Sequence, residues 1–464
     1  MRQTPGDSGR LMEGPMPGGG PRSPPSLMPL TNLETRGIAR CLAQIAERPQ
    51  DHVDAFFEVE AQYRLSGSQG QLSIESRLER GLAVRLLRER HSWLASSDEI
   101  SPDLFAQAVA RVARARPSAV APPPRTLAAG EVTPGDHDRL RWFVNAVESS
   151  IQRRHAAFPI DWDLCSHDRW SRVIGAMLSP TQQDESFFSL AVRTPWARWG
   201  TLLLDLDAAS VEAVAASLTS LFRAQRAPAS PSGRARLVLG PDAAAVLLHE
   251  AVAHALETDT LALTGDPAAA IGVELGAEVL SVVDNPAGAV ERVSRTVDDE
   301  GMPVVSRWLL RAGVVEQPLA DLFMGAASER LTPGAARRGN RHLAPVPRST
   351  HLELLPGEVD REALLAECGD GLYVPELSCG SLDPLSGELR LDFPYARLVA
   401  GGHAGGLSGP GRIQGPLLEM LGAVARVADD VAPAGAGWCA KGGHRLAVWA
   451  SAPSLLLTNA RVLA

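Results

Sequence analysis

Apolar residues recur with helical and strand spacing up to residue 116 and predict elements of both kinds. The apolar positions of 32–47 form one stripe at helical intervals, which indicates an amphipathic helix. Residues 53–63 predict a strand, and the alternation over 71–77 and the apolar run at 82–87 predict two more. A second helix is predicted over 101–116, because its second residue is a proline that suits the first helical turn.

Stretches rich in Pro, Gly and Ser divide the rest of the chain at 118–135 and 227–233. Between these breaks the pattern predicts helices at 137–153 and 208–225, and strands near 170–177 and 187–193. After residue 233, short strands and Gly/Pro turns dominate. The predicted organisation is a disordered tail at 1–28, an α+β domain at 29–118, a central domain at 119–233 and a C-terminal domain at 234–464. The fold class is therefore α+β, with short strands and helices followed by a β-rich C-terminal part.

Composition is that of an ordinary globular protein and excludes some partners. Of 464 residues, 45% are hydrophobic and 21% are charged. The net charge of −9 argues against nucleic acid, whose recognition needs a basic face. No apolar run reaches the ~20 residues of a membrane helix, so no membrane partner is expected. Five scattered cysteines and no signal-peptide pattern favour a reducing cytoplasm over a disulfide framework.

The segment from His249 to His254 places two imidazoles and the Glu250 carboxylate within six residues, after an apolar run. Imidazole is a common zinc ligand, and a carboxylate beside a metal can take a proton from water. The histidines are five apart, which an ideal helix would separate by about 140°. Both can reach one ion only if the helix carries a π-bulge or kink. The alternative is that both are ordinary core histidines with hydrogen-bond partners. Buried polar groups need such partners, and a helix of Ala, Val and Leu side chains offers few of them.

Near the C-terminus, Cys439 precedes an apolar run at 446–449 that reads as a strand. Its thiolate would complete a set of two nitrogens and one sulfur, with a fourth position open for water, which is the pattern of a catalytic zinc. Lys441 could lower the pKa of this thiol. An ordinary buried thiol is the alternative interpretation.

These segments resemble the TldD/PmbA metalloproteases, also called modulator of DNA gyrase proteins, over most of the chain. HEAVAHALETD, from His249, is similar to the family's HExxxH signature. Further similar segments follow the family's order and lie at 81–85 with 92–96, 241–245, 298–303, 379–387 and 437–443. Three positions depart from the family pattern, since Ala253 replaces a usual Gly, Thr258 replaces the Gly of the E-G-D that is common after the second histidine, and His444 replaces a usual Gln. The family's inactive subunits lack the HExxxH, which this chain keeps.

The resemblance implies one zinc ion held by His249, His254 and Cys439, with Glu250 as general base. The C-terminal domain would then be the catalytic, metal-binding one. The implied activity is a metallopeptidase that acts on unfolded or short peptides. The implied assembly is a dimer, either with a second copy or with a TldE/PmbA-like paralogue, whose site faces an enclosed space.

Two other functions stay open from the sequence. The altered neighbours of the HExxxH leave room for a metal-dependent amide or conjugate hydrolase that matures a specialised metabolite or modified peptide. A non-catalytic peptide-binding subunit of such a dimer is the other, and the intact HExxxH and Cys439 argue against it.

Three further features carry weaker signals. The basic segment from Arg337 to Arg341 is predicted to be a solvated loop, with capture of a peptide carboxylate as the alternative. The glycine run at 401–406 lacks a phosphate-binding fingerprint, but it would allow close approach of a substrate backbone. His403 and His444 are predicted to be surface or core histidines, with oxyanion stabilisation as the alternative.

Overall fold

The computed structural model describes residues 35–68, 71–89, 91–114, 137–154, 159–176, 180–195, 197–288 and 292–464. The predicted tail at 1–28 and the predicted linker at 118–135 lie outside the described residues. Within the described ranges, no helix is both long and apolar enough to cross a bilayer.

Six antiparallel strands from the first half of the chain form one sheet, in the order β3-β2-β1-β4-β5-β6. They are β1 His52–Ser68, β2 Gln71–Arg88, β3 His91–Ser97, β4 Asp161–Gly175, β5 Thr181–Arg193 and β6 Arg198–Leu203. The strands are longer than the short segments that the pattern indicated, and β2 runs through both predicted strands. Its polar first half is largely exposed and only its second half is buried, so the apolar run marked just the part that lies in the core. The sequence did not indicate β6.

The central pair of this sheet, β1 and β4, joins strands from both sides of the predicted boundary at residue 118. The two segments therefore share one layer, and their division into separate domains stays a prediction. Successive side chains of a strand point to opposite faces, and the two faces of β1 differ in polarity. Val53, Phe57 and Leu65 pack under helices, whereas Asp54 and Glu58 face the C-terminal part of the chain.

Four helices cover one face of the sheet and confirm the predicted helices. They are α1 Thr35–Ile45, α2 Pro102–Arg114, α3 His137–Arg154 and α4 Ala208–Ala224. The first two pack with β1–β3 in one apolar cluster, and the last two pack with β4 and β5 in another. As predicted, α2 starts at Pro102, and the Ser101 hydroxyl accepts a hydrogen bond from the Leu104 N–H (3.2 Å), which caps the helix.

The C-terminal part is β-rich, which confirms the predicted fold class. Its strands are β7 Gly233–Leu239, β8 Val282–Asp284, β9 Arg307–Arg311, β10 Val314–Val315, β11 Ala336–Arg337, β12 Val346–Pro347, β13 His351–Leu354, β14 Gly371–Val374, β15 Cys379–Leu382, β16 Glu388–Phe393, β17 Ala396–Ala400, β18 His403–Ser408, β19 Gly411–Pro416, β20 Val424–Val427, β21 Ala432–Lys441, β22 His444–Ala452 and β23 Leu455–Leu463. Its helices are α5 Pro241–Leu248, α6 Thr258–Leu261, α7 Leu322–Gly325, α8 Arg361–Cys368 and α9 Leu417–Gly422.

Helix α5 lies between two sheets of this part. One is six-stranded, in the order β10-β9-β8-β13-β22-β21, and the other is nine-stranded, running β15-β16-β19-β23-β7-β14-β17-β18 with β20 beside β23. Alanines at 243–245 and 251 are fully buried in the shared core, and their small side chains allow the helix to pack closely against both sheets.

A buried ionic network joins the first sheet to the C-terminal part. Arg85 on β2 donates to Asp54 on β1 (2.8 Å) and to Glu300 (2.6 Å), and all three side chains are at most 2% exposed. The predicted solvated loop from Arg337 to Arg341 is wrong, because Arg337, Arg338 and Arg341 are at most 4% exposed. Their guanidinium groups bind carboxylates and carbonyls of the chain itself, which compensates the cost of burying their charge.

Candidate metal centre

The segment after α5 widens into a π-helical turn at His249–Ala253. In this turn the His254 N–H donates to the His249 carbonyl, five residues back. The predicted π-bulge is therefore confirmed, and it places the two imidazole rings 4.5 Å apart between centroids. Ala253 takes ordinary right-handed backbone angles (φ −63°, ψ −55°), so this position does not need the glycine that is usual in the family.

Cys439 on β21 completes a compact group with the two histidines. Its Sγ lies 3.5 Å from His254 Nε2, and one ligand atom from each of the three residues lies within 4.8 Å of the others. Two ligands of a tetrahedral zinc are roughly 3.5 Å apart, given bonds of about 2.0 Å to nitrogen and 2.3 Å to sulfur. The spacing thus suits a single small cation.

His249 shows that this group fits a metal. The side chain is 3% exposed, yet both ring nitrogens have no hydrogen-bond partner among the described residues. A buried polar atom without a partner costs about 1–3 kcal/mol, and a metal bond would remove that cost. Two imidazoles and a thiol are ligands that zinc prefers, while magnesium and calcium prefer oxygen.

Burial and charge set the protonation of the two imidazoles. Burial, aided by the neighbouring His254, lowers the pKa of His249 to about 3, which keeps its imidazole neutral. Burial alone would also lower the pKa of His254, but the Glu257 carboxylate and the Cys439 sulfur outweigh it and raise that pKa to about 10. A metal that binds His254 at neutral pH must therefore displace a proton.

Glu257 holds the His254 ring in place, a role that the sequence analysis missed. It is fully buried, and its Oε2 accepts from His254 Nδ1 (2.9 Å) and from Lys441 Nζ (2.5 Å), with Arg348 3.3 Å away. Burial would raise the pKa of Glu257, but these cations lower it to about 2. A carboxylate behind a ligating imidazole fixes which ring nitrogen faces the metal. The sequence signal is an acidic residue three positions after the second histidine.

Lys441 lies against acidic groups in the structure. Besides Glu257, its ammonium approaches Asp259 (3.4 Å) and contacts the Thr260 hydroxyl. The structure thus supplies a role for Lys441 as a partner of Glu257, while its predicted effect on the Cys439 thiol stays a prediction.

Glu250 lies beside the three-residue group without belonging to it. Its Oε2 is 4.0 Å from His254 Nε2, and burial raises its pKa above the ordinary glutamate value. A β-carbon on Gly380 of β15 would come 2.4 Å from Glu250 Cγ. Only glycine at this position leaves room for the Glu250 side chain.

A cleft of about 550 Å³ opens from this group toward the first sheet. His249 and Glu250 line one end, and side chains of the sheet's C-terminal-facing surface line the other. The sheet contributes Gln62, Arg64, Arg77, Asp163, His167 and Ser189, and the C-terminal part adds Cys379, Gly380, Trp438 and Arg445. A molecule bound at Glu250 would therefore lie between the two halves of the chain.

The spare histidines and the glycine run lie outside the metal group. His444 is buried and its Nδ1 accepts from the Gly339 N–H (3.1 Å), so it is a core histidine. His403 is exposed at the start of β18, beside the turn at Gly401 and Gly402, whose positive φ angles explain the glycines. The structure does not place these residues with His249 and Glu250 in the cleft.

The family of the chain follows from a comparison with known protein families. Residues 232–463, half of the chain, match the family model described as the PmbA/TldA metallopeptidase C-terminal domain. The chain therefore belongs to the TldD/PmbA family of metallopeptidases.

Named relatives agree with this assignment. The chain is 30% identical over 257 residues to the metalloprotease TldD homolog of Haemophilus influenzae, covering 54% of this chain and 52% of that protein. It is 22% identical over 264 residues to the zinc metalloprotease TldD homolog of Saccharolobus solfataricus, covering 55% and 58%. The matches thus span about half the length of these relatives.

The fold is also that of a solved structure. TldE from Thermococcus kodakarensis superimposes with a TM-score of 0.71 at 17% identity, covering 94% of this chain and all of that one. At this identity the likeness concerns the fold alone, and it extends over both halves of the molecule.

Proposed function

We propose that this protein is a zinc-dependent peptidase that hydrolyses unfolded or short peptides. The observation that carries the proposal is the convergence of His249, His254 and Cys439 beside Glu250 and a cleft. Both buried ring nitrogens of His249 have no hydrogen-bond partner among the described residues. The named metalloprotease relatives, one of them a zinc metalloprotease, support the same conclusion.

His249, His254 and Cys439 would hold the ion, and Glu257 would orient His254. When bound, a zinc ion supplies a water that is nucleophilic at neutral pH and an electrophile for the scissile carbonyl. The protein supplies the fixed ligand geometry, because the π-helical turn is held in the core and Cys439 is buried on β21, which pairs with β22.

Glu250 acts as the general base. Its carboxylate accepts a proton from the attacking water and returns it to the leaving amine of the peptide. Burial raises its pKa, which increases its basicity toward the range that suits proton transfer near neutral pH. Gly380 keeps β15 close behind the carboxylate without blocking it.

An extended peptide fits the edge of the nine-stranded sheet. Strand β15 ends that sheet and is paired on one side only, with β16, among the strands that the structure describes. Its free backbone N–H and C=O groups could bind a peptide strand by β-addition, right beside Glu250. Backbone pairing would admit many sequences, provided that the segment is unfolded.

We further propose a dimer in the cytoplasm, formed with a second copy or with a TldE/PmbA-like paralogue. Both terminal strands of the nine-stranded sheet, β15 and β18, are exposed in this chain, and Leu385 beside β15 is 74% exposed. Edges and apolar side chains of this kind are usually covered in an assembly. A site enclosed between two subunits would exclude folded proteins.

A matched pair of substrates tests the proposal. The zinc-loaded protein is given the same cleavable sequence as a free peptide and inside a stable folded domain. Light scattering measures the mass of the protein in the same preparation. We expect a dimer that cleaves the free peptide at least tenfold faster. A fully active monomer that is indifferent to substrate folding would refute the enclosed site, and no cleavage of any peptide would refute the peptidase.

The Gly380→Ala variant tests the position of Glu250. The new methyl group would meet Glu250 Cγ at 2.4 Å, so we expect hydrolysis to fall by more than tenfold (a displacement of about 1 Å can cost ~100-fold) while the metal content stays unchanged. Gly415→Ala is the matched control, because a β-carbon there meets no atom within 4 Å. Equal activities of the two variants would show that Glu250 is not held in place by β15.

A further inference from the structure

Three arginines line the cleft although the chain as a whole is acidic. The chain carries a net charge of −9, yet the cleft is lined by the guanidinium groups of Arg64, Arg77 and Arg445. Apart from Glu250, the lining includes one carboxylate, Asp163. The three guanidinium groups outnumber these two carboxylates by one, and a positive charge in a cleft attracts anionic groups of a ligand.

The three arginines differ in their availability. Arg64 forms a two-pronged ion pair with Asp163 (2.6 and 2.7 Å), and Arg77 is paired with Glu79. Arg445 is exposed, and no carboxylate of the described ranges lies within ion-pair distance of it. It packs instead over the Trp438 ring, with its guanidinium carbon 4.2 Å from the ring centroid. The cation–π contact fixes the position of the guanidinium and leaves its N–H donors free.

The pairing of β21 with β22 fixes where this cation lies relative to Cys439. Arg445 lies opposite Ala440, the residue after Cys439, and Trp438 is the residue before it. Because side chains alternate along a strand, Trp438 and Arg445 share the face opposite to that of Cys439. Arg445 and Cys165 of β4 both line the cleft. Burial raises the pKa of Cys165 to about 12, and the charges of Arg64 and Arg445 oppose this shift.

We propose that Arg445, held by Trp438, binds a carboxylate of the peptide substrate and so directs cleavage to segments that carry an acidic side chain or a free C-terminus near the scissile bond. This inference rests on the proposed peptidase function and names its substrate class. The guanidinium fork matches a carboxylate with two parallel hydrogen bonds, which a neutral amide cannot reproduce.

Two matched sets of peptides test the inference. One set differs by Glu or Gln at single positions around the cleaved bond, and the other by a free or amidated C-terminus. We expect the carboxylate form of one set to have a KM about tenfold lower, the effect of one charge-assisted hydrogen bond. The preferred set tells which carboxylate is bound. The ratio should shrink at high salt because Arg445 is exposed.

Arg445→Gln should reduce the KM ratio from about ten to about one, and Arg445→Lys should restore part of it. Arg40→Gln, at an exposed arginine of α1, is the control that should keep the full ratio. Absence of a carboxylate preference in the unmodified protein, or its persistence in Arg445→Gln, would overturn the inference.

Peptide binding measured on the Glu250→Gln variant, which should not hydrolyse the peptide, separates this inference from the peptidase proposal. If no peptide is hydrolysed by the unmodified protein but the carboxylate peptides still bind about tenfold tighter through Arg445, the peptidase fails and the carboxylate site stands. If peptides are hydrolysed with equal affinity for both members of each pair, the carboxylate site fails and the peptidase stands.

Discussion

Replacing Glu250 with glutamine is expected to lower peptide hydrolysis by ~10²–10⁴-fold, the usual loss for a general base, while the bound metal is retained. Glutamine keeps the shape of the side chain but cannot accept the proton of the attacking water. Glu250 is also outside the three-residue group of candidate ligands, so its substitution leaves the metal contacts intact. The measurement combines kcat/KM on an unfolded peptide with the metal content of the same preparation.

Variants of the candidate metal ligands are the controls, because they should change metal content as well as hydrolysis. His249→Ala and Cys439→Ala should each lose both the metal and the activity, because each removes one of three ligand atoms. Near-normal turnover by Glu250→Gln would reject Glu250 as the base. Loss of metal in that variant would show that Glu250 is itself a ligand.

The second large effect concerns stability and the ionic network that joins the two halves. Asp299 is 1% exposed, binds Arg295 (2.5 Å) and accepts from the Arg338 N–H (2.8 Å). Asp299→Ala would remove one of the two carboxylates that pair with the buried Arg295, the other being Glu185, and would leave the Arg338 N–H without this acceptor. The free energy of unfolding should therefore fall by about 3–5 kcal/mol. Denaturant unfolding of the purified variant measures the loss.

An exposed ion pair gives the matched control. Arg311 and Glu316 form such a pair with side chains 53% and 38% exposed, so Glu316→Ala should cost at most about 1 kcal/mol. Burial would raise the pKa of Asp299, but Arg295 and its neighbours hold that pKa below the ordinary value. Its contribution is therefore complete at neutral pH and declines once the pH falls below about 4, where the unfolded chain takes up the proton first. Equal losses in both variants would contradict the role of the network.

The convergence of the two candidate histidine ligands was predictable from the sequence because their geometry is local. A spacing of five between His249 and His254 requires a π-bulge if both rings are to meet, and the structure contains that bulge. Cys439 was within reach of the same reasoning, since thiolate and imidazole are both zinc ligands. The helix ends followed from residues such as Pro102, whose effect is confined to one turn.

The features that the sequence did not reveal depend on partners far along the chain. Arg338 is buried because Asp54, 284 positions away, pairs with it, and a basic segment alone cannot show such a partner. The shared sheet of β1 and β4 likewise joins segments on either side of a predicted linker. The role of Glu257 depends on its contacts with His254, Lys441 and Arg348, and the last two residues are distant in the sequence.

The decisive measurement for the zinc site is elemental analysis of fully reduced protein, combined with peptide cleavage before and after a chelator. We expect one zinc ion per chain, loss of cleavage when the chelator removes it, and recovery when zinc is returned. Protein that holds no transition metal, or that cleaves peptides equally well after the metal is removed, would contradict a zinc peptidase built on His249, His254 and Cys439.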